Sequence, residues 1–285
     1  MFKEIICWWS GGVTSAVACK IAIDLYGYDN CRVIFIDTKN EDEDTYRFLK
    51  DCEVWYGLPI ERITHEDYNN IKEVWYRFKS LNVANGAICS SELKRVVREK
   101  WQKDNDYCYQ VFGFDLDESK RVKSMALNHP KAKPIFPLWM YGYTKEDCIR
   151  ICGDNGVEIP MMYKLGFRNN NCFKTGCVQG GVGYWQKMKR EYPEKFHAMA
   201  KVEHELTDLK GSPVTMLRTN IKKGNDERQS LFLVPHPNYP DSPLFDEQKG
   251  REPEPLFECN GMCGVNDLSE RSPTEKEINY QTELF

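Results

Sequence analysis

One stretch near the start of the chain decides its fold: Ile5-Ile6-Cys7-Trp8-Trp9-Ser10-Gly11-Gly12-Val13-Thr14-Ser15. The apolar run 5–9 predicts a buried strand, and residues 16–26 have the pattern of a helix. The Ser/Gly turn between them is of a kind that holds phosphate, because glycines let the backbone come close to an anion. The first N–H groups of the helix and the helix dipole favour the same negative charge.

The polar side chains of this loop support the same interpretation. Ser10, Thr14 and Ser15 add hydroxyl donors to the backbone N–H groups of Gly11 and Gly12. No lysine follows in the G-x-x-x-x-G-K-S/T pattern, so the stretch is not a Walker loop. A plain Ser-Gly-Gly turn with no ligand is the alternative interpretation.

Strand and helix patterns alternate beyond this loop. Residues 32–36, 60–64 and 107–113 predict strands, and residues 44–56, 71–78 and 90–102 predict helices. Strand, helix and strand at these lengths imply parallel strands joined by right-handed crossovers. The chain is therefore predicted to have an α/β fold, with a doubly wound, mostly parallel, Rossmann-like sheet.

The predicted strands end at Trp9, Ile36 and Phe112. Ligands of such sheets bind beyond the carboxyl ends of the strands. Polar residues from three loops are therefore expected to face one crevice, which we interpret as a nucleotide site. The three loops contain residues 10–15, Asp37 with Thr38, and residues 113–121.

The pattern S-G-G-x-x-S after an N-terminal strand resembles the PP-loop of the adenine-nucleotide alpha-hydrolase superfamily. Within it, the chain is most similar to the phosphoadenosine phosphosulfate (PAPS) reductase family, which also includes sulfate adenylyltransferase small subunits and DNA phosphorothioation enzymes. The resemblance covers about residues 1–185. Four further stretches match in order: Ile34-Phe35-Ile36-Asp37-Thr38, Cys89-Ser90-Ser91-Glu92-Leu93-Lys94, Gly113 to Arg121, and Pro134-Ile135-Phe136-Pro137-Leu138-Trp139 with Thr144 to Asp147.

The resemblance implies that the bound nucleotide is ATP or PAPS and that Cys89, Lys94 and Arg121 take part in the chemistry. Glu118 and Arg121 lie three residues apart, so they either pair on a helix face or hold ribose or phosphate. Asp37 either caps the turn that follows it or contacts the ligand. The predicted nucleotide-binding residues are Ser10, Gly11, Gly12, Thr14, Ser15, Asp37, Thr38, Gly113, Glu118 and Ser119.

The chain departs from the family pattern at several positions. Thr14 replaces the usual acidic residue of the loop, Lys39 replaces a glycine, and Asp115 stands where an arginine is common. Arg121 comes one residue earlier than the family's arginine. The C-terminal E-C-G-x-H of the reductases has no equivalent, and the nearest segment, 258–264, lacks the histidine.

Two short cysteine pairs in turns predict a metal site formed by Cys172, Cys177, Cys259 and Cys263. Four thiolates suit a tetrahedral zinc ion or a 4Fe–4S cluster. Cys89 is either a separate reactive thiol or, as relatives that move sulfur imply, the third member of a cluster with Cys172 and Cys177. Separate thiols without a metal are the alternative.

Composition restricts the class of protein. The chain has 285 residues and a net charge of −4, so no global basic field indicates nucleic-acid binding, although a local basic face stays open. No apolar run reaches the roughly 18–20 residues of a membrane span, and no secretory signal is evident. With 12 cysteines, a reducing cytoplasm and metal or redox sites are expected rather than disulfides.

The sequence predicts two regions. Residues 1–165 form the PP-loop nucleotide-binding α/β domain, and residues 166–285 form a cysteine-rich, helical and irregular region. Residues 184–209 predict two helices, the second starting at Pro193, and the proline-rich stretch 218–255 predicts an irregular arm.

Two classes of function follow from these patterns. The first is an enzyme that works by adenylyl transfer with pyrophosphate release, by sulfur transfer, or by both, with thiol-dependent PAPS or APS reduction as the alternative chemistry. The second is a non-catalytic, nucleotide-binding subunit of a larger assembly. The expected partners are a nucleotide and a sulfur donor or acceptor, and both a homodimer and a larger assembly fit the sequence.

Overall fold

A computed structural model describes residues 4–83, 86–219 and 228–251. Its main sheet has five strands, all parallel, in the order β3-β2-β1-β6-β7. This arrangement confirms the predicted α/β fold with its mostly parallel sheet. The strands are β1 Ile5–Trp9, β2 Cys31–Ile36, β3 Ile60–Ile63, β4 Asn82–Val83, β5 Gly86–Ala87, β6 Tyr109–Val111, β7 Pro134–Ile135, β8 Leu217–Arg218 and β9 Ser230–Leu231.

Helices connect and cover these strands, mostly where the sequence predicts them. One helical stretch departs from regular geometry, because Ser91–Val96 has π-helical hydrogen bonding between α4 and α5. Within the described ranges, no helix is both long enough and apolar enough to cross a membrane. The helices are α1 Val13–Tyr26, α2 Glu43–Tyr56, α3 Ile71–Phe78, α4 Ile88–Ser90, α5 Val97–Asp104, α6 Ser119–Asn128, α7 Pro137–Tyr141, α8 Lys145–Asp154, α9 Met161–Lys164, α10 Val182–Glu191 and α11 Pro193–Lys210.

The sheet is covered on both faces because its strands alternate between two cores. Cys7 and Trp9 of β1 belong to one hydrophobic cluster, which α1, α2 and α8 complete. Ile6 and Trp8 point the other way, into a cluster completed by α5 and α6. Successive side chains of a strand lie on opposite faces, so an apolar run with both sets buried identifies a central strand. The doubly wound arrangement follows directly.

A third hydrophobic cluster lies outside the sheet. It contains Trp185 of α10 and Phe196 of α11, packed with Trp75 of α3 and Ile88 of α4. Helix α11 begins at Pro193, as predicted, and proline is favoured there because the first helical N–H has no partner to lose. This cluster draws on residues from both sides of position 165, and the division into 1–165 and 166–285 stays a prediction.

One buried carboxylate holds the antiparallel ribbon β8–β9 against α11. The side chain of Glu203 is completely buried, and its two oxygens accept hydrogen bonds from the N–H groups of Met216 and Leu233, both at 2.8 Å. Burial raises the pKa of Glu203 from 4.5 to about 8, against the lowering effect of the two N–H donors. The ribbon is therefore fixed through an acid that is largely protonated at neutral pH.

The raised pKa of Glu203 makes the free energy of unfolding depend on pH. Because the folded-state pKa of about 8 lies above the usual 4.5, the contribution is complete below pH 4.5 and is lost as the pH rises through 8. Glu203→Gln puts an amide NH₂ against one of the two N–H donors, which should lower the free energy of unfolding by about 1–3 kcal/mol at pH 5. The gap between wild type and variant should narrow between pH 5 and pH 9.

Urea unfolding at several pH values measures this gap. Glu194→Gln, at an exposed position in the first turn of α11, is the matched control and should leave the profile unchanged. A gap that stays constant from pH 5 to pH 9 would contradict the protonation of Glu203.

Candidate functional site

The candidate site lies where the strand order of the sheet reverses. Strands β1 and β6 are neighbours, but the chain leaves β1 toward α1 on one face and leaves β6 toward α6 on the other. The loops at the carboxyl ends of two such strands diverge and leave a crevice, which is the usual ligand position in open α/β sheets.

The loop from Ser10 to Gly12 is folded onto the first turn of α1. The Ser15 hydroxyl accepts hydrogen bonds from the Ser10 N–H and the Ser10 hydroxyl, both at 3.0 Å, and donates to the Gly12 carbonyl at 2.9 Å. Gly12 is the N-cap of α1 and has no side chain to satisfy the free N–H groups. In the described part of the chain, the N–H groups of Gly11 and Gly12 have no hydrogen-bond acceptor. Such a loop can bind an anion.

Gly11 is needed for the shape of this loop. Its φ of +93° lies in the region that side chains disfavour, and an added Cβ would lie 3.0 Å from Cγ2 of Thr45. The Asn170 amide donates hydrogen bonds to the Gly11 carbonyl at 2.8 Å and to the Thr45 hydroxyl at 3.0 Å. Asn170, which is far from both in the sequence, therefore joins the loop 10–12 to α2.

Gly113 brings the loop after β6 into direct contact with α1. A Cβ at this position would lie 2.5 Å from Cα of Ser15 and 2.6 Å from its backbone nitrogen. Both are backbone atoms of the first helical turn, so no side chain could move aside to make room. The two loops of the crevice therefore touch through a position where only glycine fits.

Asp37 follows β2 and is almost completely buried. Its carboxylate accepts from Nη2 of Arg62 at 2.5 Å, from the Tyr46 hydroxyl at 3.0 Å and from the Lys39 N–H at 2.7 Å. Burial and the neighbouring Asp37 charge raise the pKa of Tyr46, and the hydrogen bond to Asp37 raises the pKa of Arg62. The hydrogen bond from the Lys39 N–H is the turn-capping contact that was considered from the sequence. The hydrogen bonds from Arg62 and Tyr46 hold the carboxylate in place.

Thr38 and Lys94 meet at an acidic residue that the sequence interpretation missed. The Thr38 hydroxyl donates to Oε1 of Glu41 at 3.0 Å, and Nζ of Lys94 lies 3.7 Å from the same oxygen. The side chains of Glu41 and Lys94 are only 2% and 6% exposed, which makes this a buried ion pair. A carboxylate three residues after Thr38 is a weak signal in a chain with 43 acidic residues, and only the fold brings it against Lys94.

Cys89 lies in α4, just before the π-helical segment that contains Lys94. It is buried in the third hydrophobic cluster, which also contains Cys172 and Cys177. π-Helical segments are rare and often occur at functional sites, because the extra residue per turn redirects the side chains around it.

The segment after Gly113 is organised by its own side chains. Asp115 caps the short turn 116–118 by accepting from the Asp117 N–H at 3.0 Å, and Glu118 accepts from the Asp115 N–H in return. Glu118 forms a buried ion pair with Arg121, whose guanidinium lies 4.4 Å from the centre of the Phe114 ring. The pairing considered from the sequence is therefore present.

Ser119 is also used within the fold. Its hydroxyl donates to the carbonyl of Leu116 at 2.7 Å and accepts from the Trp139 indole N–H at 3.1 Å. Thr14 is completely buried in the first turn of α1. The part that Thr14, Glu118, Ser119 and Arg121 play toward a ligand stays a prediction.

The loop that carries Cys172 and Cys177 packs against the crevice. Thr175 accepts a hydrogen bond from the Asn40 amide at 2.8 Å, and the Cys177 N–H donates to the Tyr184 hydroxyl at 3.1 Å. Burial and the nearby Cys177 raise the pKa of Tyr184. This loop therefore contacts the loop after β2 directly.

Two of the four predicted metal ligands, Cys172 and Cys177, lie among the described residues. Cys259 and Cys263 lie outside the described residues. Among residues 4–83, 86–219 and 228–251, no three His, Cys, Asp or Glu side chains are placed to hold one ion. Cys89, Cys172 and Cys177 lie in one hydrophobic cluster, and their grouping as three ligands of one metal site stays a prediction.

A known protein family matches more than half of this chain. The family described as "Phosphoadenosine phosphosulfate reductase domain" matches residues 4–179. An uncharacterized protein of Methanocaldococcus jannaschii is 25% identical over 239 residues, which cover 80% of this chain and 47% of that protein. The chain thus spans about half the length of this curated relative.

Two solved structures are similar at low identity. The phosphoadenylyl-sulfate (PAPS) reductase from Candida auris, in its phosphate complex, is 17% identical with a TM-score of 0.46, covering 61% of this chain and 83% of that one. The U34-tRNA thiolase NcsA from Methanococcus maripaludis, with its [4Fe-4S] cluster, is 16% identical with a TM-score of 0.40, covering 72% of this chain and 73% of that one.

The contact at Gly113 predicts a stability effect. Gly113→Ala forces α1 and the loop after β6 apart and should lower the free energy of unfolding by about 1–3 kcal/mol or more. Gly153→Ala in α8 is the matched control, because a Cβ there meets nothing within 4 Å, and it should stabilise the chain by up to about 1 kcal/mol. Urea unfolding measures both, and equal stabilities would show that the loops do not touch.

Proposed function

This chain belongs to the phosphoadenosine phosphosulfate reductase family, and on that premise we propose that it is an enzyme that binds ATP in the crevice between β1 and β6. It transfers the adenylyl group to an acceptor, releases pyrophosphate, and then exchanges the adenylate for sulfur. The observation that carries this proposal is the loop 10–12, whose Gly11 and Gly12 N–H groups lack acceptors among the described residues beside the start of α1.

In this proposal the phosphates lie on the loop from Ser10 to Ser15. The N–H groups of Gly11 and Gly12 and the positive end of the α1 dipole face the β- and γ-phosphates. The hydroxyls of Ser10 and Ser15 already form the local hydrogen-bond network and can shift to a phosphate oxygen. Gly113 closes the other side without adding bulk.

The nucleoside end of ATP lies toward Asp37 and Thr38 at the end of β2. Asp37 is fixed by Arg62 and Tyr46, so its position does not depend on the ligand. A rigid carboxylate at a strand end is well suited to a ribose hydroxyl. Arg121, held by Glu118 on the β6 side, completes the proposed set of charges.

The chemistry follows from charge and alignment. An acceptor oxygen attacks the α-phosphorus, the bond to the bridging oxygen breaks, and pyrophosphate leaves with the electron pair along the loop. Lys94 is the proposed cation that offsets the charge that develops, and Glu41 holds its ammonium in place. Cys89, charged as a persulfide by an external sulfur donor, then attacks the adenylated carbon of the acceptor with its outer sulfur, and AMP leaves with its oxygen. An external thiol reduces the resulting S–S bond, which frees the thiolated acceptor and leaves the Cys89 sulfur in a mixed disulfide or as the thiol.

We propose that Cys172 and Cys177 belong to a metal site with Cys259 and Cys263. The support is local: the two thiols lie in one short loop against the crevice, with a glycine turn between them at Gly176, whose φ is +82°. Zinc would stabilise the fold there, and a 4Fe–4S cluster would supply sulfur or redox chemistry. Thiol chemistry of this kind fits a reducing cytoplasm, which is the compartment that we propose.

PAPS or APS reduction is the second candidate function. Cys89 favours it, because its thiolate could attack the sulfur of a sulfonucleotide and release the nucleotide.

Gly12→Val tests the nucleotide site. Gly12 has φ −99° and ψ 161°, which valine tolerates, so the variant should fold while its side chain occupies the position of a phosphate. We expect the affinity for ATP, measured by calorimetry, to fall by roughly 100-fold, or about 2.7 kcal/mol. Gly153→Ala is the control and should bind ATP with wild-type affinity. If Gly12→Val also binds ATP with wild-type affinity, the loop 10–12 is not the phosphate site.

The same preparations distinguish the reactions. Adenylyl transfer predicts slow release of pyrophosphate and AMP from ATP, with water as the acceptor, and this release should survive Cys89→Ser. Thiol-dependent release of sulfite from PAPS, lost in Cys89→Ser, would instead support the reductase. ATP binding without any turnover would support the non-catalytic subunit.

Anaerobic metal and sulfide analysis tests the cysteine site. We expect about one zinc, or about four iron and four sulfide, per chain. Cys172→Ser should lose the metal, whereas Cys108→Ser, at a half-buried position away from the loop, should keep it. Metal-free wild-type protein from anaerobic cells would contradict the site.

A further inference from the structure

A second pocket lies apart from the crevice, with a volume of about 560 Å³. One wall is the outer face of the ribbon β8–β9, and another is the turn from Val178 to Gly181. Ser80 and Asn82, which follow α3, form part of the lining. None of the residues predicted from the sequence to bind nucleotide or metal lines this pocket.

The charged side chains among the described lining residues are all basic. Among the described residues, Lys210, Arg218 and Arg228 line the pocket, and no aspartate or glutamate does. This contrasts with a whole chain that has 43 acidic and 39 basic residues. Within the described ranges, none of these three cations forms a salt bridge with a carboxylate. The described lining of the pocket is therefore positive although the chain is negative.

The ribbon explains why Arg218 faces the pocket. Arg218 of β8 pairs with Ser230 of β9, and both residues line the pocket. Arg228 lies two residues before Ser230, outside β9, and lines the same pocket. Leu217 and Leu231 face the opposite way, into the third hydrophobic cluster. Because that apolar face is buried, a one-residue slip in register would expose the leucines, so the register keeps Arg218 on the outer face.

Another wall of the pocket lies at the start of a helix. Gly180 and Gly181 precede α10, which has no side-chain cap and no acidic residue in its first turn. A Cβ at Gly180 would lie 2.3 Å from Cδ1 of Tyr184, so the turn must pass close to the helix. The start of a helix attracts anions, and Gly180 and Gly181 line the same pocket as the three cations.

Hydrogen bonds between the walls keep the pocket in shape. The Gln179 amide donates to Oδ1 of Asn82 at 2.8 Å, and the Asn82 amide donates to the Met216 carbonyl at 3.0 Å. The turn after Cys177, the strand β4 and the ribbon are thus joined in series. A site that is already formed loses little entropy when a ligand binds.

We propose that this pocket binds a phosphate-bearing ligand through Arg218, Arg228 and Lys210. Arginine forks match phosphate oxygens in pairs, and three cations that form no salt bridge within the described ranges suit a multiply charged group better than a single carboxylate. A volume of about 560 Å³ exceeds a lone phosphate and fits a nucleotide-sized unit, either free or part of a polynucleotide strand. The Gly180 N–H donates to the Cys177 carbonyl at 2.8 Å, so the pocket-lining turn 178–181 directly follows the cysteine loop.

The proposal does not depend on the crevice, and the experiment separates the two. Binding is measured in the Gly12→Val background, so that ATP-site binding does not contribute. The probes are a fluorescein-labelled single-stranded RNA of about 12 nucleotides, followed by anisotropy, with AMP and inorganic pyrophosphate as competitors and as direct ligands in calorimetry. The test variant is Arg218→Ala with Arg228→Ala in the full chain.

The matched control is Lys72→Ala with Lys103→Ala, which removes two exposed charges outside the pocket. We expect the arginine variant to bind at least one probe about 10-fold more weakly than the control at about 0.1 M salt. For RNA, the slope of log affinity against log salt should fall by roughly 1.4, since each lost contact to a single strand removes about 0.7. Arg218→Lys with Arg228→Lys should recover part of the loss, because it keeps the charge.

The probe whose binding is weakened in the arginine variant identifies the source of the phosphate. Weakened RNA binding supports a polynucleotide strand, and weakened binding of AMP or pyrophosphate alone supports a free phosphorylated molecule. Equal affinity of the arginine variant and the lysine control for every probe, or no binding of any probe by the Gly12→Val parent, would overturn the proposal. Both arginines are exposed, so circular dichroism should show a folded variant.

Discussion

The close approach of Gly113 to the first turn of α1 is the constraint on which the site depends. Strands β1 and β6 are adjacent, and the loops that leave them must diverge to opposite faces of the sheet. A side chain at Gly113 would meet the backbone of Ser15, so the loops could not then form one crevice.

The second organising feature is the connection between the crevice and the cysteine loop. Asn170 bonds to the Gly11 carbonyl and to Thr45, and Asn40 bonds to Thr175. A segment more than 150 residues downstream in the chain therefore forms part of the wall around the Ser/Gly loop. This proximity is what a transfer between an activated acceptor and a thiol would require, because reacting groups must be held close together.

Departures from the family pattern acquire physical reasons in the structure. Asp115 caps the turn that leads into α6, a local role that an acidic side chain fills well. Thr14 is fully buried, and a hydroxyl costs less to bury than a carboxylate. Lys39 has a φ of 59°, the left-handed conformation for which glycine is the usual choice, and its N–H is held by Asp37.

The sequence by itself determined the α/β fold, the strand β1, the helix that follows it and the start of α11 at Pro193. These features are local: apolar runs, glycine turns and proline positions carry their own conformational preferences. It also identified Asp37, Lys94 and Gly113 as candidates, because they lie in stretches that resemble a family. The roles of Glu41, Asn170, Arg62 and Tyr46, and the positive pocket of Arg218 and Arg228, were decided only by the tertiary structure. Each depends on contacts between residues far apart in the chain, and no spacing or periodicity in a sequence specifies which distant side chains the packing of a sheet will bring together.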